Sequence, residues 1–336
     1  MTTINTVTGT ITPDQLGRTM MHEHLVVASA GWEADTAHPG LSRSELLALC
    51  VDRIGQLKGA GVRSFVDPCP GDIGRDVELA AEVSVRTGMQ IVAATGLFNE
   101  VYGGSQYWKS KVGLGLANGL DAAKYMAEVF IRELTVGIGS TGIKAGIIKV
   151  ATDRGRISDY ERVVLHAAAI ASLETGAPIT THTQQGELGR EQQQTLTGHG
   201  VPAHRIVIGH SDGSPDFEYH TQVAGNGSYL GFDRFGWQTG DFGRPDPDKV
   251  QSLVKLIRAG WGGHVVVSCD HVCAYRGSVW PQTPVTQQLI HGGSILHYLE
   301  RIQPMLREAE VPQADIDRLT IENPRRYFAG IPVSRP

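Results

Sequence analysis

Two histidines separated by one residue stand out near the start of the chain, in Met20-Met21-His22-Glu23-His24-Leu25. Successive side chains of a β-strand point to opposite faces, so in a strand His22 and His24 project together and can hold one metal ion. In a helix they would lie about 200° apart, because each residue advances about 100°. Two ordinary histidines on a half-buried strand are the alternative, which only further ligands elsewhere in the chain can exclude.

Other polar side chains interrupt or end apolar runs further along the chain. They are Lys149, His182, His210 and Asp270. Neutral imidazoles and carboxylates are natural ligands of Zn²⁺, Co²⁺, Mn²⁺ and Fe²⁺. Four histidines with one aspartate exceed what one tetrahedral site needs, so the set predicts two ions. Taken singly, each of these residues could instead cap a turn or satisfy a local hydrogen bond.

Lys149 is the unusual member of this set. An ammonium group in an apolar strand beside cations is disfavoured both by desolvation and by like charge. Carboxylation of its amine by CO₂ would create an anionic group able to bridge two metal ions. A Schiff-base nucleophile, or a core lysine paired with a carboxylate, are the alternatives.

The elements that must position these residues follow a repeated strand and helix pattern. Predicted strands cover residues 20–25, 64–68, 90–96, 146–151, 178–183, 205–210, 228–233 and 264–270. Helical patterns lie between and after them. The first runs to about Lys58 from a capping box offered by Ser42 and Glu45, and the others lie at 76–85, 121–137, 160–174, 191–196, 217–223, 247–259, 294–308 and 313–319, while a long loop is expected at 98–118. Eight near-continuous apolar strands alternating with helices predict an α/β fold, a closed (β/α)8 TIM barrel. We expect residues 1–336 to form one domain, with the polar residues at the carboxyl ends of the strands.

Composition excludes several classes of function. Of the 336 residues, 41% are hydrophobic and 19% are charged, as in ordinary globular proteins, and the net charge of -5 leaves no basic surface for nucleic acid. No apolar run reaches the roughly 20 residues of a membrane span. The N-terminus lacks the pattern of a secretion signal, so a cytoplasmic location without membrane partners is expected. The four cysteines are too few and too irregular for a disulfide framework.

An ordered set of motifs resembles the phosphotriesterase family of the amidohydrolase superfamily. The matching stretches lie at residues 17–25, 141–152, 180–183, 208–211, 231–236, 268–270 and 322–326. The resemblance runs nearly from end to end, and it implies that His22, His24 and Asp270 hold a more buried ion. It also implies that His182 and His210 hold a more exposed ion and that N6-carboxylated Lys149 bridges the two. Mononuclear deaminases of the superfamily lack the bridging lysine. Zn²⁺ is the expected metal, and Co²⁺, Mn²⁺ or Fe²⁺ also suit the ligands.

The expected chemistry is hydrolysis by a water activated between the two ions, with Asp270 accepting its proton. The stretch 231–236 looks like the lactonase branch, where a tyrosine commonly follows the third strand, whereas this chain has Phe98. Phe98 keeps an aromatic wall, and simple core packing is its alternative role. Arg234 is expected to orient the mouth of the site, and Trp237 to add to the wall. The segment 271–292, with Tyr275 and Trp280, is expected to cover the site.

N-acyl homoserine lactones or related lactones are therefore the expected substrates, with promiscuous phosphotriester hydrolysis because a phosphotriester resembles the tetrahedral state of ester hydrolysis. A dedicated organophosphate triester hydrolase and an amide or deacylating hydrolase are the alternatives on the same site. A non-catalytic binding protein on a degenerate barrel is a rival from another class. The resemblance further suggests a homodimer.

Overall fold

Parallel strands and the helices that connect them build the molecule, of which this computed structural model describes residues 2–238, 243–278 and 293–336. The strands are β1 (Ile4–Thr6), β2 (Gly9–Ile11), β3 (Thr19–Met20), β4 (Glu23–Val27), β5 (Ser64–Asp67), β6 (Gln90–Gly96), β7 (Ile147–Ala151), β8 (Ile179–His182), β9 (Ile206–Ile208), β10 (Tyr229–Phe232), β11 (Val265–Val267) and β12 (His271–Tyr275). The helices are α1 (Arg43–Gly59), α2 (Val77–Thr87), α3 (Gln106–Asn118), α4 (Ala122–Thr135), α5 (Asp159–Thr175), α6 (Gly189–Gly198), α7 (Phe217–Gly225), α8 (Asp246–Arg258), α9 (Gln303–Glu308), α10 (Gln313–Thr320) and α11 (Glu322–Ala329).

The strands close into a ring, which confirms the predicted TIM barrel. Eight of them pair in the order β11-β10-β9-β8-β7-β6-β5-β3, and each pair is parallel. The first barrel strand consists of β3 and β4, and the eighth consists of β11 and β12. Parallel pairing of β12 with β4 joins the two ends of the sheet, and Met21 N donates to Val267 O at 3.3 Å. The breaks in both strands lie where the polar side chains of the predicted site begin.

The barrel interior is filled by apolar side chains from every part of the ring. Val66, Val92, Ile147, Val207 and Val266 are all buried in one cluster. Such branched side chains fill the space inside a (β/α)8 barrel in layers and leave no pore. Because this plug occupies the lower part of the barrel, polar side chains face one another only above it, at the carboxyl ends of the strands.

Three features of the chain depart from the predicted elements. The expected loop at 98–118 contains helix α3, which the pattern concealed because only Val112 and Gly115 of this helix are buried. The hairpin of β1 and β2 precedes the barrel and was not predicted. Helix α11 was expected only as a sequence motif, and there Asn323 Nδ2 donates to Gly262 O and Val265 O, which ties the last helix to the start of β11.

Local signals in the sequence account for the ends of several helices. Ser42 and Glu45 form the predicted capping box of α1, in which the Ser42 hydroxyl accepts from Glu45 N and the Glu45 carboxylate accepts from Ser42 N. Helix α5 begins with a second capping box, formed by Ser158 and Glu161. Among the described residues, the helices lack the combined length and apolar character that crossing a membrane requires.

Candidate active site

Three of the predicted ligands meet at the closure of the barrel. His22 lies between β3 and β4, His24 lies in β4, and Asp270 follows β11. Asp270 Oδ1 lies 3.4 Å from His22 Nε2 and 3.3 Å from His24 Nε2. Asp270 adopts φ 50°, and its N–H donates to His22 O at 3.0 Å, so the end of the eighth strand is fastened to the first. All three side chains are buried, and one ligand atom from each lies within 4.8 Å of the others.

The second histidine pair lies at the ends of the fifth and sixth strands. His182 ends β8, and His210 follows β9 with φ 57°. His210 Nε2 lies 2.9 Å from His182 Nδ1, and the rings of His210 and His22 have centroids 4.8 Å apart. The two groups of ligands are therefore neighbours. Burial lowers the pKa of His182, and of His210 to about 3, so both rings are neutral at physiological pH, the form that binds metals.

Lys149 contacts His22 of the first group and the backbone of β8, the strand that ends at His182 of the second. Its side chain comes from β7 and is 1% exposed. Its Nζ lies 3.3 Å from His22 Nε2 and donates to Thr181 O at 3.3 Å, and neither partner is a carboxylate. Burial lowers the pKa of Lys149 to about 8, which increases the neutral fraction of the amine. A core lysine paired directly with a carboxylate, one alternative drawn from the sequence, is not what these contacts show.

Two aspartates that the sequence analysis did not single out orient the histidines. Asp233, after β10, accepts from His22 Nδ1 at 3.1 Å through Oδ2 and from His210 Nδ1 at 2.8 Å through Oδ1. Asp67, at the end of β5, accepts from His24 Nδ1 at 3.1 Å. A histidine that donates its Nδ1–H to a carboxylate presents its Nε2 lone pair to a metal. Both aspartates end apolar strands, as Asp270 does, and that position was the signal that could have revealed them.

Gly231 makes room for the contacts of Asp233 with the two histidines. A Cβ atom added to Gly231 would lie 2.4 Å from Asp233 Oδ2. Any larger residue at that position of β10 would therefore push the Asp233 carboxylate away from the two histidines. The glycine that begins the motif at 231–236 is thus explained by close approach to Asp233.

The predicted metal ligands and wall residues border one cavity of about 270 Å³. Phe98 packs its ring against His182 with centroids 4.8 Å apart, and Trp237 Nε1 donates to Cys269 O at 3.0 Å. Arg234 lies deeper than the expected mouth position, is 7% exposed and donates from Nε to Asp270 Oδ2 at 2.9 Å. Tyr275 also borders the cavity, whereas Trp280 and the rest of 279–292 lie outside the described residues.

Neutral imidazoles and carboxylates around one cavity at the carboxyl ends of barrel strands define a metal-dependent hydrolase of the amidohydrolase class. The model of the phosphotriesterase family matches residues 2–328. The chain belongs to the phosphotriesterase family.

Relatives and solved structures agree with this assignment over nearly the whole chain. A phosphotriesterase homology protein of Mycobacterium tuberculosis is 34% identical and covers 98% of both chains. An aryldialkylphosphatase of Saccharolobus solfataricus is 30% identical and covers 94% of this chain and 95% of its own. A mutant of a PTE-like lactonase from Deinococcus radiodurans superposes with a TM-score of 0.91 at 34% identity, covering 97% of this chain and 99% of that one. The protein is therefore a hydrolase acting on ester bonds.

The donor set fits the two ions that characterise this family. His182 Nε2 is buried and has no hydrogen-bond partner among the described residues, and His182 Nδ1 and His210 Nε2 face each other without an intervening group. The three Nδ1–carboxylate contacts already described leave His22, His24 and His210 with Nε2 toward the cavity. Histidines held in this way, with Asp270 beside them, are ready-made ligands, so the chemistry of the site suits divalent cations.

Proposed function

We propose that the protein is a binuclear metal-dependent hydrolase that opens lactones, such as N-acyl homoserine lactones, and that hydrolyses phosphotriesters more slowly. The observation that carries the proposal is the single cavity, in which ligand-type side chains form the floor and Phe98, Trp237 and Tyr275 contribute an apolar wall. A lactone with an acyl chain has the matching distribution of polar and apolar groups. The structural likeness to a PTE-like lactonase supports the same substrate class.

In this proposal His22, His24 and Asp270 hold the more buried ion, and His182 and His210 hold the more exposed one. Lys149, if carboxylated at N6, would supply the bridging ligand, because it contacts His22 and the strand of His182 and has no carboxylate partner among the described residues. Zn²⁺ is the proposed metal, with Co²⁺, Mn²⁺ or Fe²⁺ as substitutes. Divalent ions in such a site lower the pKa of bound water toward about 7 and polarise the substrate's oxygen.

Side chains of the protein bind the substrate and accept the proton of the attacking water. Asp270 is the proposed proton acceptor, and Arg234 fixes it by donating to Oδ2 while Oδ1 stays beside His22 and His24. Phe98 and Trp237 exclude water and contact the acyl chain. Trp237 is itself held by the hydrogen bond from Nε1 to Cys269 O, so its ring is a fixed part of the wall.

Phosphotriester hydrolysis as the principal activity is a second candidate, favoured by the named activity of the Saccharolobus solfataricus relative. A single screen separates the candidates: the zinc- or cobalt-loaded protein is assayed on N-acyl homoserine lactones, a phosphotriester and N-acyl amino acids. We expect kcat/KM to be highest for a lactone. A higher value for the phosphotriester would favour the second candidate, turnover of N-acyl amino acids alone would indicate a deacylase, and no turnover of lactones would refute the proposal.

We also propose that the protein forms a homodimer. Leu114 and Leu116 on helix α3 are exposed, as are Tyr107 of the same helix and Leu120 just after it. Several large apolar side chains on one exposed helix are more typical of an interface than of a free surface. Sedimentation velocity on the wild type and on Leu116→Glu tests this: the wild type should sediment as a dimer and the variant as a monomer. A monomeric wild type would contradict the proposal.

A further inference from the structure

The Tyr275 hydroxyl is a polar group in the active-site cavity that the proposed mechanism does not use. Tyr275 is the last residue of β12 and pairs in register with Val27 of β4, at the closure of the barrel. It lines the cavity together with Phe98 and the six proposed metal ligands. Phe98 occupies the place where a tyrosine would be expected after the third strand. The hydroxyl missing there has a counterpart on another strand that lines the same cavity.

The surroundings of Tyr275 favour a hydrogen-bond donor that faces the cavity. Among residues 2–238, 243–278 and 293–336, its hydroxyl makes no hydrogen bond, and the residue is partly exposed. Because Tyr275 lines the cavity and its hydroxyl has no partner among these residues, the hydroxyl is accessible to a ligand there. Burial, together with the charge of Asp270, raises the pKa of Tyr275, so the phenol stays protonated and able to donate at neutral and alkaline pH.

We propose that Tyr275 is a catalytic residue that donates a hydrogen bond to the carbonyl oxygen of the bound lactone, in the place of the tyrosine that Phe98 replaces. This inference rests on the proposed lactone hydrolysis. Negative charge builds on the carbonyl oxygen as the ester is attacked, so a donor positioned there stabilises the transition state more than the bound substrate. Removing the Tyr275 hydroxyl should therefore lower kcat more than it raises KM.

The direct test is Tyr275→Phe, which removes one oxygen atom and keeps the ring in the wall. When the wild type and Tyr275→Phe are both loaded with zinc, we expect the variant's kcat for lactone opening to be about 10- to 100-fold lower than that of the wild type. Its KM should change less than about threefold. Tyr125→Phe is the matched control, because within the described part of the chain the Tyr125 hydroxyl hydrogen-bonds to Tyr107 at the exposed surface. Its kinetics should equal those of the wild type. A Tyr275→Phe variant that keeps more than half of the wild-type kcat would overturn the proposal.

Phe98→Tyr gives an independent test that does not depend on the stability of the first variant. If Tyr275 already supplies the donor, a hydroxyl added at position 98 should raise kcat less than about threefold in the wild type. The same substitution should restore activity to Tyr275→Phe by about tenfold. A tenfold gain from Phe98→Tyr alone would show that the cavity lacks a donor and would contradict the role of Tyr275. A wild type without lactone turnover would instead refute the proposed function, so the two failures are distinguishable.

Discussion

Asp233 offers the sharpest test of how the site is held, because one carboxylate supports two histidines assigned to different ions. Its Oδ2 accepts from His22 Nδ1 at 3.1 Å, and its Oδ1 accepts from His210 Nδ1 at 2.8 Å. Oδ1 also accepts from His210 N at 2.8 Å, which an asparagine oxygen can still do. Asp233→Asn therefore takes the carboxylate charge away from both histidines and replaces one acceptor oxygen with an amide, while the backbone contact stays in place.

The size of the effect follows from the number of histidines that lose a charged carboxylate partner. Outer carboxylate partners of metal-binding histidines typically contribute 10- to 100-fold to metal affinity. At about tenfold for each histidine, Asp233→Asn should weaken the binding of both ions, the one at His22 and the one at His210. The two losses multiply to about 100-fold, which is about 2.8 kcal/mol. Asp67→Asn affects His24 alone, so it should weaken only the more buried ion, by about tenfold or about 1.4 kcal/mol.

Competition between a chelator and the apoprotein for Zn²⁺ measures the loss of metal affinity in Asp233→Asn and in Asp67→Asn. Asp35→Asn is the control for the substitution itself, because Asp35 pairs with His38 on the surface, away from the cavity. Circular dichroism should show that all three variants are folded. Wild-type affinity in a folded Asp233→Asn variant would refute the reasoning, and so would an equal loss in Asp67→Asn and Asp233→Asn.

Three further substitutions test other parts of the site. Lys149→Ala should lose one ion per chain, and its kcat should fall by more than about 100-fold. A short carboxylate such as propionate should restore part of the metal content and part of the activity, which metal analysis and lactone assays measure. Asp270→Asn should keep part of its metal and lower kcat by orders of magnitude, and near-normal kcat in a fully loaded variant would remove Asp270 from its role as proton acceptor. Lys249→Met should destabilise the fold by about 3–5 kcal/mol in urea unfolding, because Lys249 Nζ donates to Trp237 O at 2.7 Å and lies 3.5 Å from buried Asp246. Unchanged stability would show that Lys249 does not fasten the strand-end loop that carries Trp237.

The barrel could be predicted from the sequence because its strands are apolar on both faces and helices follow them, several with a recognisable start. The capping box at Ser42 and the run of apolar residues in β7 are examples of such local signals. Helix α3 escaped prediction because most of its surface is exposed, so burial imposed little hydrophobic period on it. Local propensity alone does not distinguish such a helix from a loop.

The residues of the candidate site could be located from the sequence because each is a polar interruption or end of an apolar strand, and the carboxyl ends of all the strands meet at one rim of a barrel. Asp67 and Asp233 carry the same signal, yet their role depends on which ring nitrogen each one reaches, which only three-dimensional distances reveal. The same holds for Arg234, since nothing in its local sequence indicates a contact with Asp270 Oδ2.

We propose that two ions per chain, held by this cavity, are needed to open lactones. A titration of the apoprotein with Zn²⁺, with lactone hydrolysis recorded at each addition, tests it most directly. Activity should rise to a plateau at two equivalents per chain and return to zero with excess chelator. A plateau at one equivalent, or turnover by the metal-free protein, would contradict the account.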